Sequence, residues 1–295
     1  MSILSRATKP ELEPLVATIV GTAGSGKTSL ASTFPNSILI RTQGEALPRD
    51  IPSSMAPDTM PELGSATELW DILKALLNEE HDYKTLIIDS VTGLETLFAM
   101  DVLASDPNAR GLNQALGGWG AGPAAVVAMH NRVRKAVEFL RKRKGMHTVF
   151  VAHADIADIT PPDSDPFSQY TLRLPKKSVA PYTDSVDLVG FLKQERVVRG
   201  AIEAKADRAA KPGRAITTGD RVLVTYLQPA SISKNRFGIE EDIVVEKGVN
   251  PLAFLLDAMP VAEKEVRRRG RPAKVTQEVQ EEPEHDPADS IGEDA

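Results

Sequence analysis

Gly21-Thr22-Ala23-Gly24-Ser25-Gly26-Lys27-Thr28 directly follows the apolar run Leu15-Val16-Ala17-Thr18-Ile19-Val20. The octapeptide satisfies G-x-x-x-x-G-K-[ST] at every fixed position. Glycines let successive backbone N–H groups turn inward around a phosphate without Cβ clashes. Lys27 then reaches the β- and γ-phosphates, and the Thr28 hydroxyl ligates Mg²⁺. A helix over residues 27–34 would present the positive end of its dipole to the same anion. Gly21, Thr22, Ala23, Gly24, Ser25, Gly26, Lys27, Thr28 and Ser29 are therefore the expected binding residues for a nucleoside triphosphate.

A phosphate loop alone is shared by many activities, so a second motif carries more weight. Leu86-Ile87-Ile88-Asp89-Ser90 is an apolar strand ending in a carboxylate, as expected of the aspartate that holds the water shell of the metal. The chain has neither an N-K-x-D guanine motif nor an L-S-G-G-Q signature. Guanine-nucleotide switches and ABC-type ATPases are thereby disfavoured.

Strand and helix patterns alternate around these motifs, the mark of βαβ units on a parallel sheet. Residues 37–41 and 84–89 read as strands. Ser65-Ala66-Thr67-Glu68 reads as a capping box opening a helix to about residue 79, with Leu69, Ile72, Leu73 and Leu76 on its buried face. A helix is expected over 93–103, a loop over 117–122, and a long helix over 123–144 with an apolar stripe of Val126, Met129, Val133, Val137 and Leu140. Residues 147–152 read as another buried strand. Beyond 154 the character changes: a polar, proline-rich loop over 161–166, then more alternating strands at 187–193, 196–204 and 221–228, with a turn at 211–214. A closing helix is expected from Asn250 as N-cap to just before Pro260.

The 295 residues are 41% hydrophobic and 26% charged, with no cysteine and no apolar run of membrane-span length. Disulfides and cysteine nucleophiles are excluded, and the five histidines show no metal-ligand spacing. The first 13 residues lack the apolar core of a secretory signal, so a cytoplasmic protein with no membrane association is expected, in the host cytoplasm if phage-encoded. The net charge of −6 conceals segregation, since residues 264–274 carry net +5 and 275–295 net −8. The expected organisation is an N-terminal arm (1–13), an ATPase domain (14–260) and a disordered tail (261–295), basic then acidic.

Far downstream stands Ser233-Lys234-Asn235-Arg236-Phe237-Gly238. Lys-Asn-Arg-Phe-Gly matches the motif of RadA-type ATPases with a RecA core, and residues 15–260 resemble the small phage RecA-like ATPases of the Sak type, which act in single-strand annealing and recombination. The resemblance implies an α/β RecA-like P-loop core with a largely parallel sheet and added antiparallel strands. It also implies ATP with Mg²⁺ as cofactors, an oligomeric filament or ring, single-stranded DNA as partner, and a single-strand-binding protein as a further one. In such proteins the downstream cations act across the subunit interface. Carried over, Lys234 and Arg236 would stabilise charge on a neighbour's transferred phosphoryl group.

One position departs from that family, which places a glutamate just beyond the second strand to orient the attacking water. Here the place reads Arg41-Thr42-Gln43-Gly44-Glu45. An amide positions water but cannot accept its proton. Either Glu45 substitutes through a shifted loop, or hydrolysis is slow and ATP mainly switches assembly. His153 stands where such folds place a γ-phosphate sensor, with a buried structural histidine as the other reading.

Three elements are candidates for DNA contact. The helix over 123–144 ends in Arg141, Lys142, Arg143 and Lys144, which suits phosphate contacts or a solvated face complementing the helix dipole. The stretches 117–122 and 154–177 lie where the RecA core keeps its DNA loops, bringing Trp119, Tyr170, Lys176 and Lys177 into question. Arg267-Arg268-Arg269-Gly270-Arg271-Pro272 contains the R-G-R-P core of an AT-hook, in which Arg269 and Arg271 enter a narrow minor groove, or it is a nonspecific polybasic arm. The function so implied is ATP-dependent recombination or annealing. A RadA-like or DnaB-like helicase motor and a non-hydrolysing assembly factor are the alternatives.

Overall fold

The computed structural model describes residues 3–7, 12–49, 51–199 and 214–259. Its frame is a ten-stranded sheet: β1 Val16–Gly21, β2 Ser37–Arg41, β3 Asp58–Thr59, β4 Thr85–Asp89, β5 His147–Ile159, β6 Phe167–Leu172, β7 Leu188–Arg199, β8 Arg214–Val224, β9 Lys234–Asn235 and β10 Ile243–Val244. The strands run in the order β10-β8-β7-β1-β5-β4-β2-β3, with β6 pairing β5 and β9 pairing β7. All pairings from β7 through β1, β5, β4 and β2 to β3 are parallel. Those of β8, β9, β10 and β6 are antiparallel. This is the expected class, an α/β sheet largely parallel in its centre with antiparallel strands added.

The central strands are continuous apolar runs because both sheet faces are covered. Alternate residues serve opposite faces. Val16, Val20, Leu86, Ile88 and Phe150 enter one core with helices α2 Ala66–Asn78, α3 Val91–Ala104, α4 Ala121–Lys144 and α5 Lys176–Thr183. Ala17, Ile19, Ile87, Val149 and Val151 enter the other, with Leu30 and Ala31 of α1 Lys27–Ala31 and Leu255 and Leu256 of α6 Ala253–Leu256.

Parallel register fixes where the site lies. Gly21 is opposite His153, Asp89 is opposite both Arg41 and Val151, and Val20 is opposite Ala152. The carboxyl ends of β1, β2 and β4 thus meet the middle of β5 along one edge, the edge where open α/β sheets bind ligands.

Several expected elements change in extent. The helix after the phosphate loop stops at Ala31. Ser65 caps α2 by accepting from Glu68 N at 3.3 Å, while the Glu68 carboxylate accepts from Gly64 N at 2.9 Å, one residue before the N-cap. In α4, Gly120 adopts φ 83 and the helix begins at Ala121, so the glycine loop is shorter than expected. Residues 154–177 are not a loop pair. Six residues of β5 leave the main sheet and pair with β6 as a hairpin, from Ala154 opposite Leu172 to Ile159 opposite Phe167, and loop remains at the polar turn 160–166 and at 173–175 before α5.

The strands expected at 187–193 and 196–204 are one strand, β7, with its register shift between Gln194 and Arg196. Its partner β8 begins at Arg214 and ends at Val224, earlier than the 221–228 expected. The short strands β3, β9 and β10 escape periodicity because two residues carry no period. Asn250 does not open a long helix; its Oδ1 accepts from Leu252 N at 2.8 Å, and α6 has four residues. The turn at 211–213 and the tail from residue 260 lie outside the described residues.

Candidate functional site

The phosphate loop leaves β1 at Gly21, where an added Cβ would meet Ser25 Oγ at 2.6 Å and the Leu192 carbonyl at 2.7 Å. Gly24 and Gly26 hold φ of 75 and 95, values that side chains seldom adopt. Lys27 is 6% exposed, and its Nζ donates to the Thr22 carbonyl at 3.0 Å, bridging the loop. Burial lowers the Lys27 pKa, while Asp89 and Glu45 oppose that shift. Ser25 Oγ is buried and has no hydrogen-bond partner among the described residues.

Asp89 ends β4 in a buried position, and its Oδ2 accepts from Thr28 Oγ1 at 2.5 Å. Burial raises its pKa, and the Thr28 hydroxyl works the other way. A hydroxyl and a carboxylate facing each other at the mouth of a phosphate loop fit a hard, oxygen-seeking cation that keeps several waters. Among the described residues no cluster of three or more His, Cys, Asp or Glu forms a metal site. Mg²⁺ would thus be held by Thr28 and Asp89, its remaining ligands being water and phosphate oxygens.

The segment after β2 closes over this pair. Thr42 N donates to the Asp89 carbonyl at 2.9 Å, and Thr42 Oγ1 accepts from Ser90 N at 3.1 Å. Ser90 Oγ caps α3 by accepting from Gly93 N at 3.0 Å, and donates to Glu45 Oε1 at 2.7 Å. His153 Nε2 lies 2.8 Å from the same Glu45 oxygen, and His153 N donates to Thr92 Oγ1 at 3.0 Å. The hydrogen bond from His153 holds the Glu45 carboxyl below its ordinary pKa; burial acts against it and Ser90 adds to it. Gln43 is exposed, whereas Glu45 is half-buried. Of the two alternatives in the sequence, the carboxylate is the one brought beside Lys27 and Asp89.

Sequence reasoning missed Thr42, Ser90 and Gly93. An added Cβ at Gly93 would collide with the Thr42 side chain, so the glycine permits the close approach of α3 to the loop after β2. A glycine within an expected helix was the available signal.

Lys234 and Arg236 do not join this site within their own chain. β9 pairs with β7 at Leu188 and Val189, whereas Gly21 is opposite Leu192. Three to four strand residues, roughly 10–13 Å, separate those levels. Lys234 Nζ donates to the Asp184 carbonyl at 2.9 Å, and burial, with Arg236 nearby, lowers its pKa. Arg236 NH1 lies 3.3 Å from Asp187 Oδ1, with its side chain 58% exposed.

The expected DNA contacts scatter. Arg141 is a correction: it is ion-paired to Glu13 at 3.1 Å and Asp187 at 3.0 Å, only 12% exposed, so its charge is spent inside the fold. Lys142 pairs with Glu138 at 2.8 Å, and Arg143 lies over the Phe139 ring. Both stand on the last turn of α4, next to the entry of β5 and away from the carboxyl ends of the strands. Lys176 and Lys177 are exposed at the start of α5, and Trp119 projects fully into solvent with φ 52. Arg269 and Arg271 lie outside the described residues.

Among the described residues no helix is long and apolar enough to cross a membrane. No curated protein matches the chain. Among solved structures, the crystal structure of the RadB recombinase is similar with a TM-score of 0.44 and 13% identity, over 79% of this chain and 87% of that one. A family model described as an AAA domain matches residues 13–237, a span that takes in the phosphate loop, Asp89 and Arg236. The chain belongs to this AAA domain family of P-loop ATPases.

Proposed function

We propose that the protein is an ATP- and Mg²⁺-dependent ATPase of RecA-like type that binds single-stranded DNA and serves recombination or annealing as an oligomer. The observation that carries the reading is the convergence of Lys27, Thr28, Asp89 and Glu45 on one edge of the sheet, with Thr28 2.5 Å from Asp89 and Glu45 2.7 Å from the adjoining Ser90.

In this reading Lys27 exchanges its bond to the Thr22 carbonyl for phosphate oxygens. Glu45, ionised and aimed by Ser90 and His153, orients the attacking water and accepts its proton. Bound Mg²⁺ supplies charge neutralisation on the phosphates. The carboxylate in place favours turnover over a purely ATP-switched assembly factor.

His153 sits where β5 passes from the main sheet into the β5–β6 hairpin, one residue before Ala154 pairs with Leu172. A change in the Glu45–His153 contact on hydrolysis would therefore reach the hairpin, which we assign, with Lys176, Lys177 and Trp119, to contact with DNA. Lys234 and Arg236, remote from their own phosphate loop, would serve a neighbour's. Sak-type annealing and a single-strand-binding protein as a further partner remain part of this proposal through family resemblance.

The test is ATP turnover by the full chain with and without single-stranded DNA, alongside annealing of complementary oligonucleotides. Lys27→Ala should abolish nucleotide binding. If single-stranded DNA neither binds nor alters turnover, the recombination reading fails.

A further inference from the structure

The turn that follows β9 takes its shape from one side chain, Asn235. Its Oδ1 accepts from Phe237 N at 2.9 Å and Ile239 N at 3.1 Å, and its Nδ2 donates to the carbonyls of Thr225 at 3.0 Å and Ile239 at 2.8 Å. Gly238 completes the turn at φ 70. A half-buried amide with both ends satisfied fixes the backbone on either side of Arg236, so the direction of that side chain is decided by what meets it.

Asp187 meets it twice. The Asp187 carbonyl accepts from Arg236 N at 3.1 Å, and Oδ1 lies 3.3 Å from Arg236 NH1, so one residue holds both the root and the head of the side chain. Asp187 is itself fastened to the foot of β1. Its N donates to the Val16 carbonyl at 2.8 Å, and its Oδ2 accepts from Val16 N at 3.1 Å and from Arg141 NH2 at 3.0 Å. The two cations on this carboxylate differ. Arg141 is nearly covered, whereas most of the Arg236 side chain faces solvent and has no other polar partner among the described residues. A guanidinium carries five N–H donors, and this one is tethered through a single nitrogen.

We propose that Asp187 is a positioning residue, which holds Arg236 in the orientation that offers its untethered donors to a neighbouring subunit's nucleotide. The inference rests on the role across the interface proposed for Arg236 and adds the residue that makes it effective. Asp187 touches no nucleotide and acts only through Arg236. A long side chain oriented before the subunits meet loses less freedom when they do, and it arrives in the geometry that the reaction needs. Lys234, whose Nζ donates to the Asp184 carbonyl, is held separately and does not depend on Asp187 for its direction.

Complementation between full-length variants tests it, read as ATP turnover with Mg²⁺ and single-stranded DNA. Lys27→Ala removes a subunit's own phosphate site but keeps its Arg236, and Arg236→Ala does the reverse. Each should be impaired alone. An equal mixture should recover about a quarter of wild-type turnover, the share of head-to-tail interfaces that join an intact phosphate loop to an intact arginine. Asp187→Asn alone should turn over about tenfold more slowly, or less, with ATP affinity kept. Mixed with Lys27→Ala it should recover as Arg236→Ala does, and mixed with Arg236→Ala it should recover nothing. Recovery with one partner and not the other also shows that the variant is folded. Arg141→Gln removes the other cation from the same carboxylate, so it should lower the urea midpoint yet keep turnover within about twofold of wild type. Wild-type turnover in Asp187→Asn, or no recovery of it by Lys27→Ala, would overturn the positioning role while sparing Arg236. No recovery in the mixture of Lys27→Ala with Arg236→Ala would overturn the role across the interface, and that of Asp187 with it.

Discussion

Glu45 Oε1 and His153 Nε2 lie 2.8 Å apart, joining the loop after β2 to the point where β5 leaves the main sheet. A carboxylate two positions beyond the expected one thereby reaches the same edge as Lys27 and Asp89. The contact also ties the edge that carries Lys27 and Asp89 to the β5–β6 hairpin.

If Glu45 is the base, Glu45→Gln should lower ATP turnover by about 10²–10⁴-fold with little change in ATP affinity. Gln43→Ala, at an exposed position, should stay within about twofold of wild type. Steady-state phosphate release paired with equilibrium binding separates the two.

The pH profile follows from the same pair. His153 is the largest influence holding the Glu45 carboxyl below its ordinary value of 4.5. Its removal raises the Glu45 pKa, so in His153→Ala the acid limb of the turnover profile should move to higher pH. Equal acid limbs in the two proteins would show that Glu45 does not set the limb.

Asp187 is the structural counterweight at the opposite edge. Its carboxylate, 7% exposed, meets Arg141 at 3.0 Å, Arg236 at 3.3 Å and the Val16 N–H at 3.1 Å. Asp187→Ala leaves Arg141 without its more buried partner and should cost about 3–5 kcal/mol, read from urea unfolding. Arg236→Ala, at an exposed end of the cluster, should cost less than about 1 kcal/mol. It should nonetheless reduce turnover and, mixed into wild type, poison neighbouring sites.

His147 supplies a pH signature of stability. It is fully buried, its Nδ1 accepts from Leu15 N at 2.8 Å, and burial, with Arg141 and Lys84 nearby, lowers its pKa from 6.5 to about 4. The unfolded chain binds that proton more readily, so this contribution is complete above pH 6.5 and is lost as pH falls toward 4. The total is about 3 kcal/mol. Unfolding free energies of wild type and His147→Gln should converge over that window.

The parallel core was legible because its strands are continuous apolar runs closed by special residues: Gly21 at the end of β1 and Asp89 at the end of β4. The phosphate loop was legible because its chemistry is local. Glu45 was not decidable from spacing, since its placement depends on partners 45 and 108 residues away, Ser90 and His153. Arg141 looked like a surface cation because nothing local reveals Glu13 and Asp187 beside it. The hairpin of β5 and β6 was read as loop because its strands carry polar residues on an unburied face, so alternation there has no core to mark it.

The central claim is that nucleotide turnover at this edge is driven by Glu45 and coupled to DNA. ATP hydrolysis by the full chain with Mg²⁺, measured with and without single-stranded DNA in wild type and Glu45→Gln, tests it most directly. The account predicts that DNA changes the wild-type rate and that Glu45→Gln lacks turnover under both conditions while retaining ATP. Turnover indifferent to DNA, or undiminished in Glu45→Gln, would contradict it.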